Sequence, residues 1–294
     1  MLREKPEFYK EEVRCGYTVN EKTKRVWAVQ LEMLDEVERI CKANGLKYFA
    51  DSGTLIGAIR HEGYIPWDDD IDLVMLREDY DKFVQIAPKW LKEDLVLQTV
   101  YTEKNYLRGH AQIRNSKTCG CNEEDKKAGY NCGIFIDIFP LDGMPKTEKE
   151  RKNWAKKIQF YWTVLYTWYR FDYYENATVF GKLLHGIGML LHVPMVKAYK
   201  GYEKLCTRFK GKDTEYVCDT VFIRYLEKNT WKREWFKEAV YMPFENRKIP
   251  VPVGYDGRLE YGDYMKPAKA PTMHGGLILD PDVPYTEYLK KENK

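Results

Sequence analysis

The sequence predicts an α/β (α+β) fold, a mixed sheet flanked by helices, and three observations carry that expectation. Apolar runs of strand length, at 46–50, 73–75 and 133–139, alternate with stretches whose apolar residues recur at helical spacing. A dense acidic run, Asp68-Asp69-Asp70-Ile71-Asp72, puts four carboxylates in five residues and leads straight into Leu73-Val74-Met75. A lone carboxylate, Asp137, interrupts the otherwise apolar Ile134-Phe-Ile-Asp-Ile-Phe139.

Residues 1–19 read as an irregular lead-in. From a capping Asn20, Trp27, Leu31, Leu34, Val37 and Cys41 form a helical stripe that Asn44-Gly45 closes. A strand over 46–50, a glycine turn at Gly53-Thr54 and a helix through Leu55–Ile59 follow. After the acidic strand, Arg77-Glu-Asp-Tyr80 opens a helix with an apolar stripe at Tyr80, Phe83, Val84, Ala87 and Leu91. Strands are expected at 95–100, 107–115 and 133–139, with a loop over 116–130. Trp154, Ile158, Tyr161, Leu165 and Trp168 mark a long aromatic helix. The apolar stretch 179–196 holds Lys182, two His and Pro194, which make it a poor bilayer span. Packing as part of a helical appendage is expected of it, with contact to a membrane surface beside Lys197 and Lys200 as the alternative. Residues 214–223 are strand-like, the prolines of Arg247–Val253 suit an edge strand, and Asp256 opens a short helix. The tail reads as an extended wrap. The expected organisation is a core over 1–145, the appendage over 146–212, and a C-terminal part, 213–294, that completes core and site.

Bulk numbers narrow the function. Lys+Arg 48 against Asp+Glu 45 leaves a net +3, which argues against nucleic-acid binding by charge alone. The first residues show no apolar signal region, and the seven scattered cysteines fit a reduced setting better than a disulfide framework, so a cytoplasmic location is expected. Cys119, Cys121 and Cys132 match no common zinc spacing.

The acidic run needs a partner, because four adjacent carboxylates beside Tyr64, Ile65, Pro66 and Trp67 repel one another. A hard divalent cation supplies it, taking carboxylate and phosphate oxygens together. On a strand Asp70 and Asp72 project to one face and can share a metal. A helix start at Gly53-Thr54 offers free N–H groups to a phosphate. Asp137 completes a carboxylate triad if its strand lies beside that of Asp72; the competing reading is a salt bridge to a buried Arg. Asp68 is a further ligand or supporting group. Arg60 and His61 are candidates for a cationic contact with a departing phosphate, against a plain salt bridge to Asp68 or Asp51. His274, between flexible residues, reads as a loop residue before a lid contact. Aromatic faces at Tyr64, Trp67, Trp168, Tyr169 and Tyr173 suit a quaternary ammonium, although such stripes more often form core.

The stretch Gly53-Thr-Leu-Ile-Gly-Ala-Ile-Arg-His-Glu-Gly-Tyr-Ile-Pro-Trp-Asp-Asp-Asp-Ile-Asp72 resembles the signature of the LicD family. Gly133-Ile-Phe-Ile-Asp-Ile-Phe-Pro-Leu-Asp142 and Tyr261-Gly-Asp-Tyr-Met265 resemble it too. The resemblance implies a nucleotidyltransferase-like fold with a third acidic residue, here Asp137, on an adjacent strand. It implies Mg²⁺ (or Mn²⁺) at Asp70, Asp72 and Asp137, and transfer of phosphocholine or a related phospho-alcohol from CDP-choline or another CDP-alcohol to a glycan hydroxyl, releasing CMP. Asp137 would ligate a second metal or take the acceptor proton. Modification of lipopolysaccharide or teichoic acid at the inner face of the membrane would fit that chemistry. The alternatives are a nucleotidyltransferase that adds a nucleotide monophosphate to a small molecule, and an inactive binding module of the same fold.

Overall fold

Two backward-turning residues set the first element. Cys15 and Gly16 both have positive φ (51° and 72°), the two-residue turn that matches strand twist, and they join β1 (Glu12–Arg14) to β2 (Tyr17–Val19). The expected irregular lead-in is therefore partly a hairpin, hidden because Cys-Gly is not a usual turn pair. The computed structural model describes residues 4–170, 178–259, 262–268 and 276–292. The expectations for Tyr173, Tyr261 and His274 lie outside the described residues.

Helix α1 (Glu21–Asn44) begins where the Asn20 side chain accepts from Thr23 N–H and ends at Gly45, which adopts φ 63°. Strand β3 shrinks to Phe49–Ala50, and α2 (Ser52–Arg60) starts one residue before the anticipated glycine turn, so Gly53 and Thr54 belong to its first turn. Strand β4 (Asp72–Leu76) begins at Asp72; Asp70 lies just ahead of it in extended chain rather than on the strand. Next come α3 (Arg77–Trp90), β5 (Leu95–Gln98) and β6 (Ala111–Asn115).

The loop expected at 116–130 instead contains β7 (Cys119–Cys121) and α4 (Glu123–Ala128). Gly120 N–H donates to Cys132 carbonyl at 2.7 Å and draws the two segments together. Cys121 and Cys132 form a disulfide there, and Cys119, buried beside them, takes no part in it. That overturns the expectation of uniformly reduced cysteines, and two members of the trio weighed for zinc are bonded to each other.

Strand β8 (Ile134–Gly143) is the spine of a seven-stranded sheet. It runs parallel to β4 on one edge, with Asp72 opposite Asp137. Its other edge takes β6 along Ile134–Ile138 and then β9 (Tyr216–Asp219) along Leu141–Gly143, both antiparallel. Asp137 N–H donates to Ile71 carbonyl on the β4 side, so alternation points the nitrogen of Pro140 to the other edge. There it falls in the gap between β6 and β9, where a missing N–H costs no ladder bond.

Alternation along β4 and β8 also sorts the core. Leu73, Met75, Ile136 and Ile138 pack with Trp27, Leu31, Leu34 and Phe83 of α1 and α3. The opposite face, carrying Asp72 and Asp137, continues into Val74, Phe139 and Leu141, which pack with Val217, Trp231 and Phe236. Burying such a side chain contributes about 1.5–3 kcal/mol.

The aromatic helix α5 (Glu148–Tyr169) is started by a reciprocal Thr147–Glu150 capping box. It packs with α6 (Val179–Leu191) and α7 (Met195–Cys206), and Trp154, Ile158 and Leu165 of α5 with Tyr199 and Tyr202 of α7 join Val100, Leu107, Cys218 and Ile223 in a second hydrophobic cluster. As expected of an appendage α6 packs on α5, yet it buries none of its residues fully. The C-terminal part adds β10 (Thr230–Lys232) beside β9, a hairpin of β11 (Ala239–Phe244) and β12 (Arg247–Pro252), and α8 (Tyr255–Arg258). The tail, expected as an extended wrap or loop, lays β13 (Ile278–Asp280) along β7 and then turns into a helix, α9 (Tyr285–Glu292).

Candidate active site

The parallel register of β4 and β8 brings Asp72 and Asp137 side by side on one face, and the extended residues before β4 bring Asp70 to them. One carboxylate oxygen from each of Asp70, Asp72 and Asp137 lies within 4.8 Å of the others. Asp68, Asp69 and Asp70 form a second such group beside it. Asp70 and Asp137 are only 8% and 5% exposed, so water screens them poorly.

Burial pushes the Asp72 carboxyl well above the usual range, and the charges of Asp70 and Asp137 push it further. Burial also acts upward on Asp137, but the neighbouring His110 and then Arg108 outweigh it and hold that carboxyl below its ordinary value. Two full charges about 4.8 Å apart repel by roughly 3–4 kcal/mol at an effective dielectric of about 20. A single charge-assisted hydrogen bond returns only about 1.5–3 kcal/mol. The row is therefore completed by a proton or a cation, and three hard oxygen donors at this spacing suit a divalent cation.

His110 holds Asp137. Its Nε2 lies 2.9 Å from Asp137 Oδ1, and because an ionised carboxylate can only accept, Nε2 carries the proton. Nδ1 has no hydrogen-bond partner among the described residues. The ring borders a cavity of about 300 Å³ whose wall includes Tyr80, Tyr101, Arg108, Tyr199 and Glu203. Sequence reasoning missed His110 and offered a buried Arg as the bland partner for Asp137. The signal was there: His110, Gln112 and Arg114 alternate, giving this interior strand one polar face.

The acidic loop is tied down by α1. Trp27 Nε1–H donates to Asp68 carbonyl at 3.1 Å, and Gln30 Nε2–H donates to Asp69 carbonyl at 2.7 Å. Thr54 is buried and its hydroxyl oxygen accepts Asp72 N–H at 2.9 Å. Gly53 lets Asp68 approach closely, since a β-carbon there would come within 2.3 Å of its Oδ2. The two residues expected to cradle a phosphate thus contact the carboxylate segment itself.

At the other end of α2, Arg60 donates to Tyr264 carbonyl at 2.6 Å and to His61 Nε2 at 2.8 Å. Burial, then Arg60 and Arg14, push His61 down to about 4, so it is neutral at pH 7 and any positive charge of that pair rests with Arg60. Asp51 is paired bidentately with Arg258 at 2.9 and 2.7 Å, not with Arg60 or His61. The aromatic residues proposed for an ammonium do not converge. Tyr64 is stacked on Trp27 in the core at 4.4 Å, Trp67 meets Tyr17, and Trp168 and Tyr169 lie on α5.

A family profile described as LicD/FKTN/FKRP, nucleotidyltransferase domain, matches residues 45–175. The lipopolysaccharide cholinephosphotransferase LicD of Haemophilus influenzae is 32% identical over 248 residues, covering 81% of this chain and 89% of that protein. An uncharacterized protein of Rickettsia typhi is 46% identical over 59 residues, 20% of this chain and 19% of its own length. The ribitol 5-phosphate transferase FKRP of Homo sapiens is 40% identical over 47 residues, 16% of this chain and 10% of that protein. Identity sustained across nearly the full length of the Haemophilus protein, together with a profile that spans both acidic strands, makes this chain a member of the LicD family.

Proposed function

We propose that the chain transfers a phospho-alcohol, phosphocholine in the first instance, from its CDP conjugate to a hydroxyl of a cell-surface glycan, releasing CMP. The observation that carries the reading is the row of Asp70, Asp72 and Asp137, three carboxylates with an oxygen each within 4.8 Å of the others. The name of the Haemophilus relative supports the choice of phosphocholine.

Asp70, Asp72 and Asp137 would hold Mg²⁺ (or Mn²⁺), which when bound neutralises phosphate charge and favours in-line displacement. Everything else falls to the chain. Asp137, kept ionised by His110, suits a ligand better than a proton acceptor. His110 keeps that carboxylate in place, and its ring, with Nδ1 unpartnered among the described residues, borders the cavity where an incoming group can pair with it. The carbonyl clamps from Trp27 and Gln30 fix the acidic loop before substrate arrives, so little reorganisation is left for the reaction. The cavity sets the Tyr101 and Tyr199 rings and the Glu203 carboxylate beside Arg77, Arg108 and Lys210, a lining with groups for both the cationic and the anionic end of a phospho-alcohol.

Incubating the protein with CDP-choline, CDP-ribitol and CDP-glycerol in the presence of Mg²⁺, with a glycan acceptor, tests the reading. CMP should form from CDP-choline fastest and stop when EDTA is added. Pyrophosphate release from a nucleoside triphosphate, with no CMP from any of the three, would replace it by nucleotidyl transfer.

A further inference from the structure

The helix α6 wears its apolar face outward. Gly188 meets α5 so closely that a β-carbon there would come within 2.7 Å of Trp168, and His185 Nδ1 lies 3.3 Å from Thr167 carbonyl. These two residues define the inner face. Phe180, Leu183, Ile187, Leu190 and Leu191 recur at helical spacing on the other side. Exposure among the outward apolar residues of α6 runs from 40% at Ile187 to 86% at Val179, whereas Leu184 is half-buried. An exposed contiguous stripe of this kind marks an interaction site.

Charge says what covers it. Residues 146–212 carry 14 Lys and Arg against five Asp and Glu, a net +9, so the rest of the chain is net −6 within the total of +3. Lys182 sits exposed within the stripe, and Lys197, Lys200 and Lys204 line the exposed side of α7. A second copy of the chain docking through α6 about a twofold axis would set one +9 region against another. An anionic surface would be attracted by it, and an anionic bilayer offers that charge together with an apolar layer that takes the stripe. At 13 residues α6 is about 20 Å long, short of the roughly 30 Å hydrocarbon layer. The chain bends by 117° into α7, so the two helices do not add up to one straight span.

We propose that the α6 stripe lies in the interface of an anionic lipid bilayer, flanked by the lysines of α6 and α7, and so moors the enzyme to a membrane surface. The proposal is independent of which phospho-alcohol is transferred.

Sedimentation of the full chain with phosphatidylcholine vesicles, with and without phosphatidylglycerol, at low and high salt tests it. Binding should require phosphatidylglycerol and weaken as salt rises. The double variant L183Q/L190Q should bind at least about tenfold more weakly, and K197E/K200E should lose about tenfold, on the anionic vesicles only. Both pairs are exposed, and unchanged circular dichroism checks that the fold survives. Native protein that ignores phosphatidylglycerol, or double variants that sediment as the native chain does, would overturn the proposal. So would light scattering that shows a dimer lost in L183Q/L190Q without vesicle binding.

Discussion

Two regions of this molecule break the inside–outside rule in opposite directions. The sheet face around β4 and β8 buries carboxylates that repel one another, while α6 presents leucines and a phenylalanine to the outside. Ordinary folding pressure removes both arrangements, since the first costs electrostatic energy and the second wastes burial. Their persistence teaches the same lesson twice: each is half of an interaction. The carboxylate row is completed by a cation and a diphosphate in the reading proposed here, and the apolar stripe by lipid.

Within the buried region the contrast sharpens, because three carboxyls are handled in three ways. Asp51 is neutralised by Arg258, which also lies over the Trp231 ring at 3.7 Å. Asp219 is pushed up to about 7 by burial and so keeps its proton through mildly acidic pH. Asp72 is pushed up by burial as well, but there the like charges of Asp70 and Asp137 add to it.

The largest expected effect tests whether the repelling row exists for function. Asp72→Asn and Asp137→Asn should each lower turnover by at least about 10²-fold. Asp72→Asn should also raise the melting temperature, because a repelling group is gone. Turnover near the native rate in either variant would reduce the row to a structural accident. Next, Arg258→Ala should cost about 3–5 kcal/mol in denaturant unfolding, since it strands a buried Asp51. A loss below about 1 kcal/mol would mean the C-terminal part does not secure the site.

Asp219 gives a pH test with a definite sign. Its folded value, about 7, stands above the ordinary 3.8, so the folded state holds the proton longer than the unfolded state does. Its contribution is neutral below about pH 4 and turns progressively against folding as pH rises from about 4 to 7, on the order of 1–4 kcal/mol in all. Asp219→Asn should flatten that decline in melts taken across the range. The smallest effect belongs to α6. L183Q/L190Q should shift stability in the absence of lipid by no more than about 0.5 kcal/mol. A larger loss would mean the stripe supports the fold, and the contrast with the buried face would collapse.

Asp70 and Asp72 were legible as a pair from their spacing, and Asp137 from being a charge in an apolar strand. The α1 boundaries followed from Asn20 and Gly45, whose local chemistry decides a helix end wherever it lies. His110, Arg258, Trp27 and Gln30 were not legible as site residues. Each acts on a partner at least 27 residues away in sequence, and nothing near it records that partner. The disulfide of Cys121 and Cys132 was missed because it depends on β7 turning back along the start of β8.

The sequence by itself determined which side chains carry charge, which alternate and which repeat at helical spacing, because these are local properties of the chain. Only the tertiary structure decided that Asp72 stands opposite Asp137, for a slip of one residue between β4 and β8 would have turned one of them to the helix-covered face. It also decided that the apolar face of α6 points outward. Hydrophobic periodicity states that a face must leave water, and the same pattern serves whether protein or lipid receives it.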